Sequence, residues 1–217
     1  MHERPLASVP VPMLAVLAFS LATHVSMQAW RPVAASASTD IGPPPAATAV
    51  RLAALGDALP AAKLLMLFLQ SFDLRADNPV NYQSLNYRHV QDWLSLMLEL
   101  DPRGQYPLAA ASRIYAESTD PERQRMMLEF VYRQFLIDPQ RRWQWLAEAA
   151  SMAKHRLHDL PLARRYAAAI QQHATGPGVP LWARQMEAFI LEDMNELEAA
   201  RIMIGSYVAS GQATEPG

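Results

Sequence analysis

Displacing the chain against itself by 37 residues brings ten positions into register. Val90 falls on Met127, Trp93 on Phe130, Leu94 on Val131, Leu98 on Phe135 and Leu100 on Ile137. Further along, Tyr106 falls on Trp143, Ala109 on Leu146 and Ala110 on Ala147, and the pair Asp101-Pro102 falls on Asp138-Pro139. A fixed period of this length belongs to helix pairs that cannot bury their apolar faces alone and must stack on their neighbours. Stacks of this kind usually serve as interaction surfaces.

Helical patterning runs from 50 to 210. The spacing predicts a first helix over 61–72, apolar nearly all round and therefore buried, followed by a loop over 73–82 that carries Asn78-Pro79. Further helices are predicted at 85–100 and 107–117, then one opened by Asp120-Pro121 and closed by Asp138-Pro139. Asp serves as a cap there and Pro fits a first helical position. Four more follow at 141–156, 161–173, 180–194 and 196–209, with 176–180 (GPGVP) as the clearest break among them. No stretch alternates with period two, so no sheet is expected. Residues 211–217 are expected to be disordered.

The amino-terminal part has a different character. Residues 5–30 contain no Asp, Glu, Lys or Arg, and 11–22 (VPMLAVLAFSLA) is the most apolar run. A spanning helix needs roughly 20 apolar residues, which 6–29 just reaches, and Trp30-Arg31 resembles an interfacial aromatic followed by a polar exit. An uncleaved anchor is the expectation adopted. A secretory signal cut near Ser20-Leu21-Ala22 and a helix buried in a soluble domain are the alternatives. Arg4 and Arg31 flank the segment evenly, so charge bias orients it little, and export of the larger carboxy-terminal part is the default. Gly42-Pro43-Pro44-Pro45 cannot continue a helix, and the Ala/Ser/Pro-rich residues around it read as a semi-stiff spacer. The expected organisation is an anchor or signal at 1–30, a linker at 31–50, a helical-repeat domain at 51–210 and a tail at 211–217.

The helix-turn-helix period resembles the tetratricopeptide (TPR) repeat, in which a bulky aromatic and a small residue mark the first helix and a proline closes the second. The residues that carry the likeness are Trp143-x-x-Leu146-Ala147 with Ala163 and Tyr166, and Tyr106-x-x-Ala109-Ala110 leading to Asp138-Pro139. Residues 90–102 look like the second half of an earlier unit, and 180–210, with Trp182 and Ala199-Ala200, like a degenerate last one. The period of 37 exceeds the roughly 34 of the family, and the small position holds no glycine. The resemblance implies an all-α fold, an α-solenoid of antiparallel helix pairs preceded by an N-terminal hydrophobic helix. It also implies a groove lined by first-helix residues that holds peptide segments or partner domains. Carried over by position, the groove residues are Arg141, Gln144, Glu148, Ser151 and His155. The equivalents in the Tyr106 unit are Gly104, Pro107, Ala111, Ile114 and Ser118. Trp143 takes the packing position, which leaves Trp145, two residues on, as a contact candidate or part of a second core face. Arg184 joins the candidates from the mixed run 182–187 (WARQME), where Trp182 packs or grips a ligand.

Composition excludes several chemistries. A net charge of -2 and a pI near 6.3 carry no field suited to nucleic acid. Absence of cysteine removes disulfides, thiolate metal sites and cysteine nucleophiles. No Gly-rich phosphate loop and no nucleophile elbow occurs, and the adjacent acids Glu192-Asp193 point in different directions on a helix. His155-x-x-His158-Asp159 is the one spacing that invites a metal, but it reads better as a turn in which Asp159 caps the next helix. The basic cluster Arg141, Arg142, Lys154, His155, Arg156, Arg164 and Arg165 reads as a solvated face with ion pairs to Asp138, Glu148 and Asp159. The expectation is a non-enzymatic scaffold without cofactor or metal, held as a single-pass protein in a bacterial cell envelope with its helical domain on the periplasmic side. It would dock protein partners, not nucleic acid. The alternatives are a periplasmic adaptor released by signal cleavage and a His-based metal-binding or catalytic protein.

Overall fold

The computed structural model describes residues 10–30, 41–73 and 85–209 of the 217-residue chain. The expected tail at 211–217 and most of the loop at 73–82 lie outside them, as does the first half of the spacer. The chain divides into two compact units, Met1–Thr39 and Asp40–Gly217. Among its described residues the first holds one helix, α1 (Val11–Trp30), and every residue from Pro10 to Met27 is exposed, including Val16, Phe19 and Leu21. Its apolar stretch is Val11–Met27, and among the described residues no single helix is long and apolar enough to cross a membrane.

The second unit is all-helical among its described residues. It contains α2 (Ala47–Ala53), α3 (Ala58–Asp73), α4 (Tyr87–Leu100), α5 (Tyr106–Arg113), a single 3₁₀ turn (Tyr115–Glu117), α6 (Pro121–Ile137), α7 (Pro139–His155), α8 (Leu160–His173), α9 (Leu181–Asp193) and α10 (Leu197–Ala209). Side-chain caps start several of them. Asn86 Oδ1 accepts from the Arg88 amide at 3.1 Å, Asp120 Oδ1 from Glu122 at 3.0 Å, and Asp159 Oδ1 from Leu162 at 2.9 Å. Proline sits in the first turn of α5, α6, α7 and α8, where its missing donor costs nothing. It also ends the helix before it. Asp101 (φ −130°, ψ 84°) and Asp138 (φ −146°, ψ 76°) take the same extended conformation because proline Cδ disfavours helical geometry in the preceding residue.

Consecutive helices pack on one another from α2 to α10. Alternate helices also touch, α4 with α6, α5 with α7 and α7 with α9. One core cluster runs from Ile41 and Met66 through α4 and α6 to Val179 and Ile190. The aligned pairs Val90/Met127, Trp93/Phe130, Leu94/Val131 and Leu98/Phe135 all lie in it. Leu100/Ile137 breaks the pattern. Leu100 is covered together with Ala62 and Leu96, whereas Ile137 is 70% exposed.

Side chains about one period apart are joined. Arg125 Nη1 donates to Asp159 Oδ2 at 2.7 Å, Gln171 Nε2 to Tyr207 Oη at 2.8 Å and Tyr166 Oη to Glu129 Oε1 at 3.1 Å. These partners are 34, 36 and 37 residues apart. Arg142 makes the deepest of these links. It is 3% exposed, and its guanidinium donates to the carbonyls of Gln134 (2.8 Å) and Pro102 (3.2 Å), so that α7 is tied to the preceding Asp-Pro junction. Burial lowers its pKa from the ordinary value, opposed by the nearby Asp138 carboxylate.

Three expectations need correction. The spacer expected to reach 50 ends earlier: Ile41 is 1% exposed, His89 Nδ1 donates to its carbonyl at 2.7 Å, and Trp93 Nε1 donates to the Gly42 carbonyl at 2.8 Å. Three prolines stop a helix but do not stop the chain before them from packing, and α2 begins two residues after the last. The first domain helix expected at 61–72 instead starts at Ala58, since Asp57 Oδ1 takes the Leu59 amide (3.2 Å) and Pro60 is still within the first turn. The helix expected to reach Glu117 ends at Arg113, and the 3₁₀ turn after it drives Tyr115 and Ala116 into the core.

Two outcomes follow from these contacts. Arg142→Ala leaves the Pro102 and Gln134 carbonyls without this donor and lowers unfolding free energy by about 2 kcal/mol, measured by urea denaturation. Burial pushes the Asp159 carboxyl up, but the Leu162 amide and Arg125 outweigh it and hold its pKa below the ordinary 3.8. A depressed carboxyl contributes stability above its unfolded pKa and loses it as pH falls through the folded one. Asp159→Asn is therefore less stable than the parent at neutral pH, and the gap closes as pH drops below 3.8, read from thermal melts across pH.

Candidate functional site

The outward face of α7 carries Gln144, Glu148 and Ser151 at helical spacing, one turn above another. Across from it stands α9, whose first turns place Trp182 and Met186 on the facing side. Between them, with Arg113 of α5 at one end, lies a cleft of about 450 Å³ that also takes in Trp143 and the edge of Trp145. A smaller hollow of about 180 Å³ shares Ser151, Trp182 and Met186 with it and extends along α7 to Lys154 and His155, and along α9 to Phe189. The two form one continuous trough.

Its walls are aromatic. Trp143 and Trp182 meet edge to face with centroids 5.6 Å apart, and Trp182 and Phe189 are each 53% exposed. Trp145 is 9% exposed and donates from Nε1 to Gln105 Oε1 at 2.5 Å. The Arg113 guanidinium lies 5.3 Å from the centre of the Trp145 ring. That guanidinium is spent on Glu148, with Nε 2.7 Å from Oε1 and 2.8 Å from Oε2, and Ser112 Oγ adds a further donor at 3.2 Å. The hydrogen bond and charge of Glu148 raise the Arg113 pKa. At the other end Lys154 Nζ is ion-paired to Asp193 Oδ2 at the close of α9. The charged groups along the trough are thus neutralised in pairs. Gln144, Ser151 and His155 remain as exposed polar groups along a floor of tryptophan, methionine and phenylalanine.

The predicted site residues divide. Gln144, Trp145, Glu148 and Ser151 come together in the main cleft and His155 in its extension. Arg141 is exposed outside it, bound to Asp138 Oδ2 at 2.5 Å. Arg184 also lies outside, and its carbonyl accepts from Tyr207 Oη at 2.8 Å. The roles of the two tryptophans on α7 are exchanged. Trp145 is the packed one and Trp143 is half-buried on Trp182, because the buried face of α7 passes through Arg142, Trp145, Leu146 and Ala149. In the second carried-over set, Pro107, Ala111 and Ser118 are buried, since α5 is short and its successor folds inward. Gly104 and Pro107 border a separate cavity of about 530 Å³ with Met66, Leu67 and Met97. Phe189 was not anticipated. Its signal is the spacing Trp182, Met186, Phe189, which puts three large apolar groups on one helical face.

His158 sits in the turn at φ 53°, and Asp159 is occupied by its cap and by Arg125. Among the described residues no three His, Cys, Asp or Glu side chains converge for a metal ion. The basic cluster is dispersed: Arg142 is buried, Arg164 pairs with Glu187 and Glu196, Arg165 with Glu129, and Arg156 with Glu117. Of the acids expected as partners only Asp138 pairs within this cluster, to Arg141. Comparison with family models, with characterised proteins and with solved structures finds no match for this chain.

Unequal burial separates the tryptophans experimentally. Trp145→Ala opens a core cavity and costs about 3–5 kcal/mol. Trp182→Ala, on the trough wall, costs less than about 1 kcal/mol. Chemical denaturation of the two variants checks the ordering.

Proposed function

We propose that this chain is a membrane-tethered, non-enzymatic adaptor whose TPR-like helix pairs hold a protein segment in the trough between α7 and α9. The observation that carries this reading is the trough itself. Two tryptophans, a methionine and a phenylalanine stay solvent-accessible there while the surrounding charges are satisfied internally. Such a surface suits an extended or helical segment that inserts one or two large apolar side chains and meets Gln144, Ser151 and His155 at its polar edge. The side-chain links one period apart, with alternate helices in contact, support a solenoid of antiparallel pairs. Anchoring through the 6–29 segment, with the helical domain on the periplasmic side, raises the effective concentration of the trough at the envelope.

A photocrosslinker at Gln144 or Ser151 in intact cells is expected to trap a discrete protein adduct. The same group at Arg201, on α10, is expected to give none. Addition of Met186→Asp should abolish the adduct without changing protein abundance. Equal adducts at all three sites, or an adduct indifferent to Met186→Asp, remove the docking role.

The shortness of the apolar part of α1 favours a second reading, a periplasmic adaptor freed by cleavage after Ala22. The mature mass decides between the two: an intact Met1 in the membrane fraction supports the anchor, and a chain beginning at Thr23 supports release.

A further inference from the structure

The elbow formed by α2 and α3 hides one apolar face and displays another. Ala62, Met66 and Leu69 pack inward, yet Leu64 and Leu67 on the opposite side are 65% and 62% exposed. Leu52 on α2 is 78% exposed, and Leu55 in the bend is 94% exposed at φ 50°. Taken together, Ala47–Ala53 and Ala58–Ser71 have the length and composition of a membrane span, but they are bent by 114°. Between them runs an apolar groove of about 440 Å³ walled by Val50, Ala53, Pro60, Ala61, Leu64 and Leu65.

We propose that this elbow is an interfacial membrane element, lying in the plane of the bilayer surface with Leu52, Leu55, Leu64 and Leu67 among the upper acyl chains. The bend, Asp57 at its apex and Arg51, which is ion-paired to Glu99 of α4 at 3.1 Å, favour this interfacial setting over a span. Lipid is the occupant for two reasons. The chain from α1 to Ile41 comprises residues 31–40, which extend to at most about 36 Å, so a membrane-bound α1 keeps the start of the helical body within that reach of the bilayer. The exposed face also carries Lys63 as its one basic group between Ala58 and Gln70 and no acid there, the pattern of a side chain that reaches up to headgroup phosphates while its neighbours sink. The choice of lipid rests on the membrane reading of α1.

The chain has no cysteine, so Leu17→Cys, Leu64→Cys and Gln144→Cys each accept one environment-sensitive fluorophore in the full chain. These are reconstituted into vesicles of phosphatidylcholine and phosphatidylglycerol, with and without acyl-chain nitroxide quenchers. The expected result is blue-shifted emission at position 64 and nitroxide quenching several times that at 144, where the probe stays aqueous. Leu55→Glu combined with Leu67→Glu should return position 64 to the level of 144 while position 17 remains quenched and far-UV circular dichroism is unchanged. Quenching at 17 without quenching at 64 overturns the elbow and leaves the anchor. Quenching at 64 without quenching at 17 keeps the elbow and overturns the anchor. A blue shift at 64 that nitroxide lipids do not quench overturns the elbow in favour of a protein cover.

Discussion

Proline at 102 and at 139 sets the register on which the helical body depends. Each forces the preceding aspartate into the same extended conformation, so α4 and α6 end at equivalent points 37 residues apart. Side chains about one period apart then meet across the body, as Arg125 does with Asp159 and Tyr166 with Glu129. Arg142 makes the dependence direct. A guanidinium just after the second break bonds the carbonyl of the first proline from a buried site, where an unsatisfied cation or carbonyl is costly.

The same register gives the two seams of the body different chemistry. Between α6 and α8, Glu129 receives both Arg165 and the Tyr166 hydroxyl, and the Arg165 guanidinium lies over the Tyr132 and Tyr166 rings at 4.9 and 5.1 Å. Burial, together with the Glu129 charge, pushes the Tyr166 phenol well above its ordinary pKa and keeps it a donor. That seam is closed by polar contacts. Along the trough between α7 and α9 the charges are paired at the two ends, Arg113 of α5 with Glu148 of α7 and Lys154 of α7 with Asp193 of α9, and the middle is left to aromatic and thioether groups. On the docking role proposed above, satisfied charges at the ends of the trough favour an apolar guest at its centre, because a charged one would be desolvated there without a partner.

Much of this order was legible in the residues. Helix breaks at Asp101-Pro102, Asp120-Pro121 and Asp138-Pro139 are local events governed by proline sterics and aspartate capping, so they are read without tertiary information. The outward face of α7 was also readable, since Gln144, Glu148 and Ser151 follow from helical spacing. What escaped was set by the neighbours of a residue. Which of Trp143 and Trp145 is buried depends on where Gln105 and Trp182 stand, each about 40 residues away in sequence. The burial of Ile41 depends on the side-chain donors that His89 and Trp93 offer to the Ile41 and Gly42 carbonyls, and nothing in a proline-rich segment announces them. The shortening of α5 likewise follows from Tyr115 reaching a pocket in which Tyr87 Oη bonds its carbonyl at 3.1 Å.

The two ends of the helical body show why the exposed leucines of α3 call for a particular medium. On the solenoid reading proposed above, a row of stacked pairs leaves one face uncovered at each end, and ends that face water carry polar residues. At α10 Leu197, Ile202, Ile204 and Val208 are exposed; the ion pair between Glu198 and Arg201 separates the first from the rest, Ser206 lies among the others, and Tyr207 fastens the helix through Arg184. Water tolerates scattered apolar groups of this kind. Between Ala58 and Gln70 the charge interleaving is reduced to Lys63, and the groove beside α2 joins Leu64 to Val50 and Pro60 in a contiguous apolar surface. Contiguity is what water penalises. The difference between the two helices lies in that contiguous groove, which is the feature the proposed lipid contact of the elbow uses.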